Sequence, residues 1–381
     1  MLLLAVVFDF PFACLVFLGC IVIILLLYYF ALFGRLVFRK EKKTIASEDL
    51  PAVSIIITAH NEAQTIINTL PTFLSQDYPN YEVVLVNDNS KDDTDQIVME
   101  LKHRYSHLHY VDLSSSISNF KGKKFPLALG LQAAKNKIVI LTDVVCQPQS
   151  PYWLQHIVSR FVRNTTVVLG GVTYAKKEGL LNRWLRYNCV MDAIESFSYA
   201  LAGMPVMANG RNLAYKKELF FNNKETFIAY PRIPYGEDDI FINQVAQRKL
   251  CDVEPHAEAF IVQPPINFNT WFRQKKIAFS TRNYYKKSHS FLLKTFNFTS
   301  FFFYVAAIIA LFFTYKNPIY LSITCGIIVL KLAIHYLVVG QAAKKMNEKG
   351  IVAFTLLFDI FLALLHPLIN IASKFEEQKW N

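Results

Sequence analysis

Three apolar runs in the first half of the chain each stop on side chains that bind or ionise. VSIIITA runs into His60-Asn61-Glu62, EVVLVNDNS ends in Asp88 between two asparagines, and KIVILTD stops on Asp143. Polar and acidic groups at the ends of buried strands make an edge where an anionic, hydroxyl-rich ligand such as a nucleotide can be held. Further on, Tyr235-Gly236-Glu237-Asp238-Asp239-Ile240-Phe241 sets three carboxyls in a row. Carboxyls this crowded raise one another's pKa, which suits a group that must accept a proton. The same acids can also cap a helix running through Ile240 to Gln247.

The elements that must position these groups follow from their pattern. Short β-rich apolar runs ending in polar residues are the strands of a parallel sheet buried on both faces. Between them, Glu62 to Ser75, Asp92 to Tyr105 and Phe125 to Ala134 are the covering helices, with Pro71 interrupting the first. The expectation is an α/β domain, Rossmann-like, with a mostly parallel sheet and helices on both faces. Trp184 to Tyr199 reads as an amphipathic helix with Arg183, Arg186, Asp192 and Glu195 on its polar positions.

Taken in order, SIIITAHNEAQTI, LSQDYPNYEVVLVNDNSKDDT, GKKFPLALGLQAAKNKIVILTD, GEDD and WFRQKK resemble the blocks of a family 2 glycosyltransferase of the GT-A fold. The resemblance implies that Ala59, Asn61, Glu62 and Asp88 hold the nucleotide. It implies that Asp238 takes the proton from the acceptor hydroxyl, with Glu237 and Asp239 beside it. Asn209, Gly210 and Arg211 would line the cleft for donor sugar and acceptor. Arg273, Gln274 and Lys276 resemble the segment that lies over the diphosphate, although Ile277 and Ala278 stand where the family has Arg and Trp. Lys123 or Lys124 would contribute from the other side. Asp143 falls where the family carries an Asp-any-Asp motif for Mg2+ or Mn2+, but the sequence continues Val144-Val145. A valine side chain offers no oxygen to a hard cation. Either Asp143 holds the metal with diphosphate oxygens and water, or lysine and arginine neutralise the leaving group, or catalysis is lost.

The composition is that of a membrane-attached protein. Of 381 residues 53% are hydrophobic, including 32 Phe and 19 Tyr, and the excess lies at the two ends. Residues 11–33 carry no charge and are long enough to span a bilayer. Arg35, Arg39, Lys40, Lys42 and Lys43 follow, so the positive-inside rule puts the next domain in the cytoplasm. Phe301 to Tyr315, Ile319 to Val339 and Ile351 to Ala372 are further apolar runs, the first of them short for a span unless it begins upstream. The expected layout is a transmembrane helix over 1–38, a linker over 39–50, the catalytic domain over 51–290, about three helices over 291–374 and a tail over 375–381. Lys331, Asp359 and His366 fall inside the apolar runs, where ionisable groups face neighbouring helices or a polar path.

No Asp or Glu occurs between Glu258 and Glu348, while Arg273, Lys275, Lys276, Arg282, Lys286, Lys287 and Lys294 crowd the start of that interval. With a formal net charge of +11, such a belt beside apolar helices fits anionic lipid headgroups and not nucleic acid. The six cysteines show no CxxC spacing and the nine histidines no HExxH pattern, so the sequence makes no case for zinc. The reading is an inverting, multi-pass enzyme of the inner (plasma) membrane. It would move sugar from a nucleotide-sugar donor, in this family most often a UDP-sugar, to a membrane lipid or surface glycan. A processive polysaccharide synthase and a catalytically silent scaffold are the alternatives.

Overall fold

The computed structural model describes residues 9–40, 45, 50–113, 122–162, 164–229 and 236–375. Tyr235, most of the expected linker and the tail from residue 376 lie outside them. The strands are β1 (Val53–Ala59), β2 (Tyr81–Asn87), β3 (Leu108–Asp112), β4 (Ile138–Asp143) and β5 (Gln147–Pro148). They continue with β6 (Val167–Gly170), β7 (Val172–Tyr174), β8 (Leu213–Lys216), β9 (Cys251–Glu254) and β10 (Ile261–Gln263). Seven form one sheet in the order β3-β2-β1-β4-β8-β6-β9, and β5-β10-β7 form a smaller one.

All seven residues of β1 are buried, as a Val/Ile run covered on both faces requires. Its parallel pairing with β2 and β4 sets Ala59 beside Asn87 and Thr58 beside Asp143, so the three carboxyl ends form one edge. The helices Ala63–Leu74, Thr94–Arg104 and Lys124–Ala133 lie where the sequence puts them, and Pro71 sits inside the first without dividing it. β8 runs antiparallel to β4, with Leu213 opposite Leu141. The chain entering β8 through Asn209, Gly210 and Arg211 is therefore delivered to the edge that carries Asp143.

Among the described residues, four helices are long and apolar enough to cross a membrane: Phe10–Val37, Lys287–Thr314, Pro318–Lys345 and Lys349–Phe375. The first contains a π-helical widening over Tyr28–Phe33. The second begins well upstream of Phe301, which resolves the shortness of that run. The amphipathic reading of the Trp184 stretch is corrected. The helix Leu180–Leu201 buries nearly all its length, Arg186 and Glu195 included. It is packed on both sides, against the catalytic domain and against the apolar helices. Trp184 lies edge-on to Trp271, Phe358 and Phe361, and Arg186 ion-pairs with the buried carboxylate of Glu348. Each large side chain buried here contributes about 1.5–3 kcal/mol, and the charge is tolerated because it is paired.

Candidate active site

A cavity of about 490 Å³ opens at the carboxyl edge of β1 and β4, roofed by the helix Phe268–Thr281. At its floor Asp143 accepts a 2.9 Å hydrogen bond from Lys123 Nζ, and Arg211 Nε stands 3.8 Å from the same oxygen. Burial pushes the Asp143 carboxyl up, but Lys123 and Arg211 outweigh it and hold the group below the usual range. Burial likewise pushes Lys123 down, and Asp143 more than restores it. The side-chain nitrogen Nε of Arg211 is buried with no hydrogen-bond partner. Two cations and one carboxylate leave a net positive floor, which suits a diphosphate.

Across the cavity, Gly210 N–H donates to Asp238 Oδ2 at 2.5 Å and Asp239 N–H donates to Asp238 Oδ1 at 2.7 Å. Asp239 is held in turn, accepting from Thr281 Oγ1 at 2.5 Å and Tyr285 OH at 2.7 Å. Crowding falls on the neighbours of Asp238. Burial, then the charge of Asp238, pushes Glu237 up to about 8 and Asp239 up to about 7. Glu237 Oε2 is buried without a partner. Gly236 has φ of 92°, a left-handed turn that lets the chain double back into the helix Asp239–Val245.

Of the residues singled out from sequence, Lys123, Asp143, Asn209, Gly210, Arg211, Glu237, Asp238, Asp239, Arg273 and Gln274 line this cavity. Ala59, Asn61, Glu62, Asp88 and Lys276 are not among its lining. Asn61 is held at φ 55°, donating its N–H to Ser90 Oγ and accepting Lys91 N–H. His60 Nδ1 lies 2.6 Å from the Asp88 carbonyl. These residues clamp the loops after β1 and β2 together behind the cavity. Burial raises the Asp88 carboxyl, with His60 opposing. Burial first and then Asp143 push Glu62 up to about 7, and its Oε2 has no partner. Sequence reasoning missed Thr281 and Tyr285, whose hydroxyls look like ordinary helix surface until the helix closes over Asp239.

At the floor of this cavity the Asp143 carboxylate is the donor a hard cation would take, and Val145 offers none. His156, His256 and Glu258 also bring ligand-type atoms within 4.8 Å of one another, away from this cavity. The two imidazoles, however, stack with planes 7° apart. One ion cannot lie in both of two stacked parallel planes, so this arrangement is not a formed metal centre.

A second cavity of about 210 Å³ adjoins the first and shares Ala208, Asn209, Arg211, Asp239, Gln274 and Ala278 with it. Its far wall is the helix Leu180–Leu201, where Asp192 accepts from Lys275 Nζ at 2.6–2.7 Å. Burial pushes nearby Glu195 up to about 7 against the opposing pull of Arg282.

A mixed, mostly parallel sheet whose carboxyl edge opens on a cavity with a basic floor, joined to membrane-length helices, is the GT-A fold. Residues 54–235 match the family model described as Glycosyl transferase family 2. Those residues form a family 2 glycosyltransferase domain. It is 24% identical over 269 residues to a poly-beta-1,6-N-acetyl-D-glucosamine synthase of Staphylococcus epidermidis, covering 66% of this chain and 60% of that one. The Staphylococcus aureus (strain COL) protein of the same name is 24% identical over 183 residues, covering 46% and 42%. The chain thus spans less than two thirds of the length of these relatives. The fold also matches the mannosyltransferase PcManGT from Pyrobaculum calidifontis, solved in complex with GDP-Man and Mn2+. The TM-score is 0.52 at 18% identity, over 92% of this chain and 99% of that one.

Proposed function

We propose that the protein is an inverting glycosyltransferase that passes a sugar from a UDP-sugar to a hydroxyl of a membrane lipid or surface glycan, with Asp238 as general base. The observation that supports it is one cleft with a basic floor at Lys123, Asp143 and Arg211 and, facing it, a carboxylate held by two backbone N–H groups. In a single displacement the acceptor proton passes to Asp238 and the acceptor oxygen bonds to the anomeric carbon. The bond to the diphosphate breaks, and its electron pair leaves with UDP. Lys123, Arg211 and Arg273 meet the growing charge, where fixed cations lower the barrier. Asp143, with diphosphate oxygens and water, would hold Mg2+ or Mn2+, which would supply further neutralisation when bound. The catalytic domain faces the cytoplasm from a multi-pass anchor in the inner (plasma) membrane.

The test is release of UDP by the purified full chain supplied with UDP-sugars and with lipid or glycan acceptors. Asp238→Asn is expected to lose about 10²–10⁴-fold in rate while retaining UDP binding. Wild-type turnover by that variant sinks the base assignment. A second reading, a processive synthase, is favoured by the similarity to polysaccharide synthases. Product length separates the two, since single transfer gives one added sugar and a synthase gives a ladder.

A further inference from the structure

We infer that the last apolar helix, Thr355–Ala372, does not cross the bilayer but lies along the leaflet on the catalytic domain's side, with its exposed stripe among the acyl chains. At about 1.5 Å per residue, its 18 residues give about 27 Å, close to the roughly 30 Å hydrocarbon core. Length therefore does not decide the matter, and contacts do.

The other three helices mark the two sides. Near the catalytic domain, Arg39 ion-pairs with Asp252 at 2.7 Å, and Lys345 Nζ donates to the carbonyls of Leu36 and Arg39. At the far side, Tyr320 OH donates to Asp9, and Phe10 lies edge-on to Phe313 at 4.7 Å. Both ends of Thr355–Ala372 meet the catalytic side. Just before it, Glu348 accepts from Thr173 Oγ and pairs with Arg186, and Arg183 sits 4.9 Å over the Phe354 ring. At its other end His366 lies 5.5 Å from Phe279, and His366, Pro367 and Asn370 share a small cavity with Arg282, Ser290 and Lys294.

Its partners on the helix Lys287–Thr314 run the same way. Asp359 accepts from Tyr304 OH, whereas the residues around Asn370 meet Lys294, near that helix's start. The helix therefore is deepest near Asp359 and returns toward the side it came from. Leu357, Phe361, Leu364, Leu368 and Ile371 are all 44–56% exposed, and their spacing of four, three, four and three residues puts them on one face. Phe358, Asp359 and Leu362 face the protein. The occupant of that apolar face is lipid. The face continues the surface of the membrane helices, and Arg282 and Lys294 lie by its carboxyl-terminal end, where basic residues favour anionic lipid.

Single nitroxide labels on Leu357→Cys, Leu364→Cys and Ile371→Cys, in the full chain with its native cysteines replaced and reconstituted in vesicles, would read depth by oxygen and nickel-chelate accessibility. Greatest depth at Leu357, least at Ile371 and none beyond the bilayer midplane, with a carboxyl-terminal tag digested by protease from the same side as the catalytic domain, is the expected result. Labels at Leu357 and Ile371 in opposite leaflets, with the tag on the other side, would overturn the inference. Labels shielded from oxygen and cross-linking to a second copy would overturn the choice of lipid as occupant.

Discussion

At Asp238, the base of the proposed reaction, each carboxylate oxygen receives one backbone N–H. Gly210 is the critical neighbour, because a Cβ there would stand 2.9 Å from Asp238 Oδ2 and 3.2 Å from its Cβ. Gly210→Ala is expected to displace the base and cut kcat by about 10²-fold, with an unchanged melting temperature. Steady-state kinetics beside a thermal melt check this. Glu237 carries a different signature. With its pKa raised from 4.5 to about 8, it binds a proton in the folded chain where the unfolded chain has lost it. Its contribution to stability is present below about pH 4.5 and is lost as pH rises through about 8. Glu237→Gln removes that slope, so its melting temperature should match wild type near pH 4.5 and exceed it near pH 8. A gap independent of pH would contradict the assignment. The acid row and the Asn209-Gly210-Arg211 loop stood out in the sequence because their identities are unusual for packing, and the structure places them in the lining of the cavity. Asn61 and Asp88 were equally visible, but whether such residues bind or build a turn depends on side-chain direction, which spacing does not carry.

Among elements, the sheet's parallel half was readable from its apolar runs. The short strands β6, β8 and β9 were not, since four residues hold too little alternation to show a period. The ionisable residues inside the apolar helices were visible as anomalies, while their partners were not. Lys331 donates to Asp359 and, at 3.3 Å, to Tyr304 OH, and His335 Nδ1 lies 2.8 Å from Tyr29 OH. His335 Nε2 is 3.3 Å from Tyr187 OH on the helix that walls the second cavity. One polar network thus ties three membrane helices, the last apolar helix and the cavity wall. Lys331→Met alone should destabilise the protein by about 3–5 kcal/mol by leaving Asp359 unpaired, and adding Asp359→Leu should restore most of that. Thermal denaturation of the single and double variants in one detergent decides it. Equal loss in both would show that the pair does not act as a pair.

For the molecule as a whole, catalytic domain and membrane helices are one packed body. Trp184 is 3% exposed because Phe358 and Phe361 cover it, and Arg186 is neutralised by Glu348 from beyond the second and third apolar helices. A fragment ending at residue 285 would bare the tryptophan and strand the arginine. It is expected to aggregate or to melt well below the full chain, as size-exclusion chromatography and a melt of the purified fragment would report. Composition announced the membrane attachment, but it could not say that the attachment completes the domain, because both halves of that contact look apolar in sequence. The wall common to the two cavities carries a last consequence. Arg211, Asp239 and Gln274 face whatever fills either space, so an occupant of one reshapes the surface offered to the other. Under the proposed function, with donor in one space and acceptor in the other, neither substrate would bind as though the other were absent, and spent nucleotide lingering in its place would delay the next acceptor as well as the next donor.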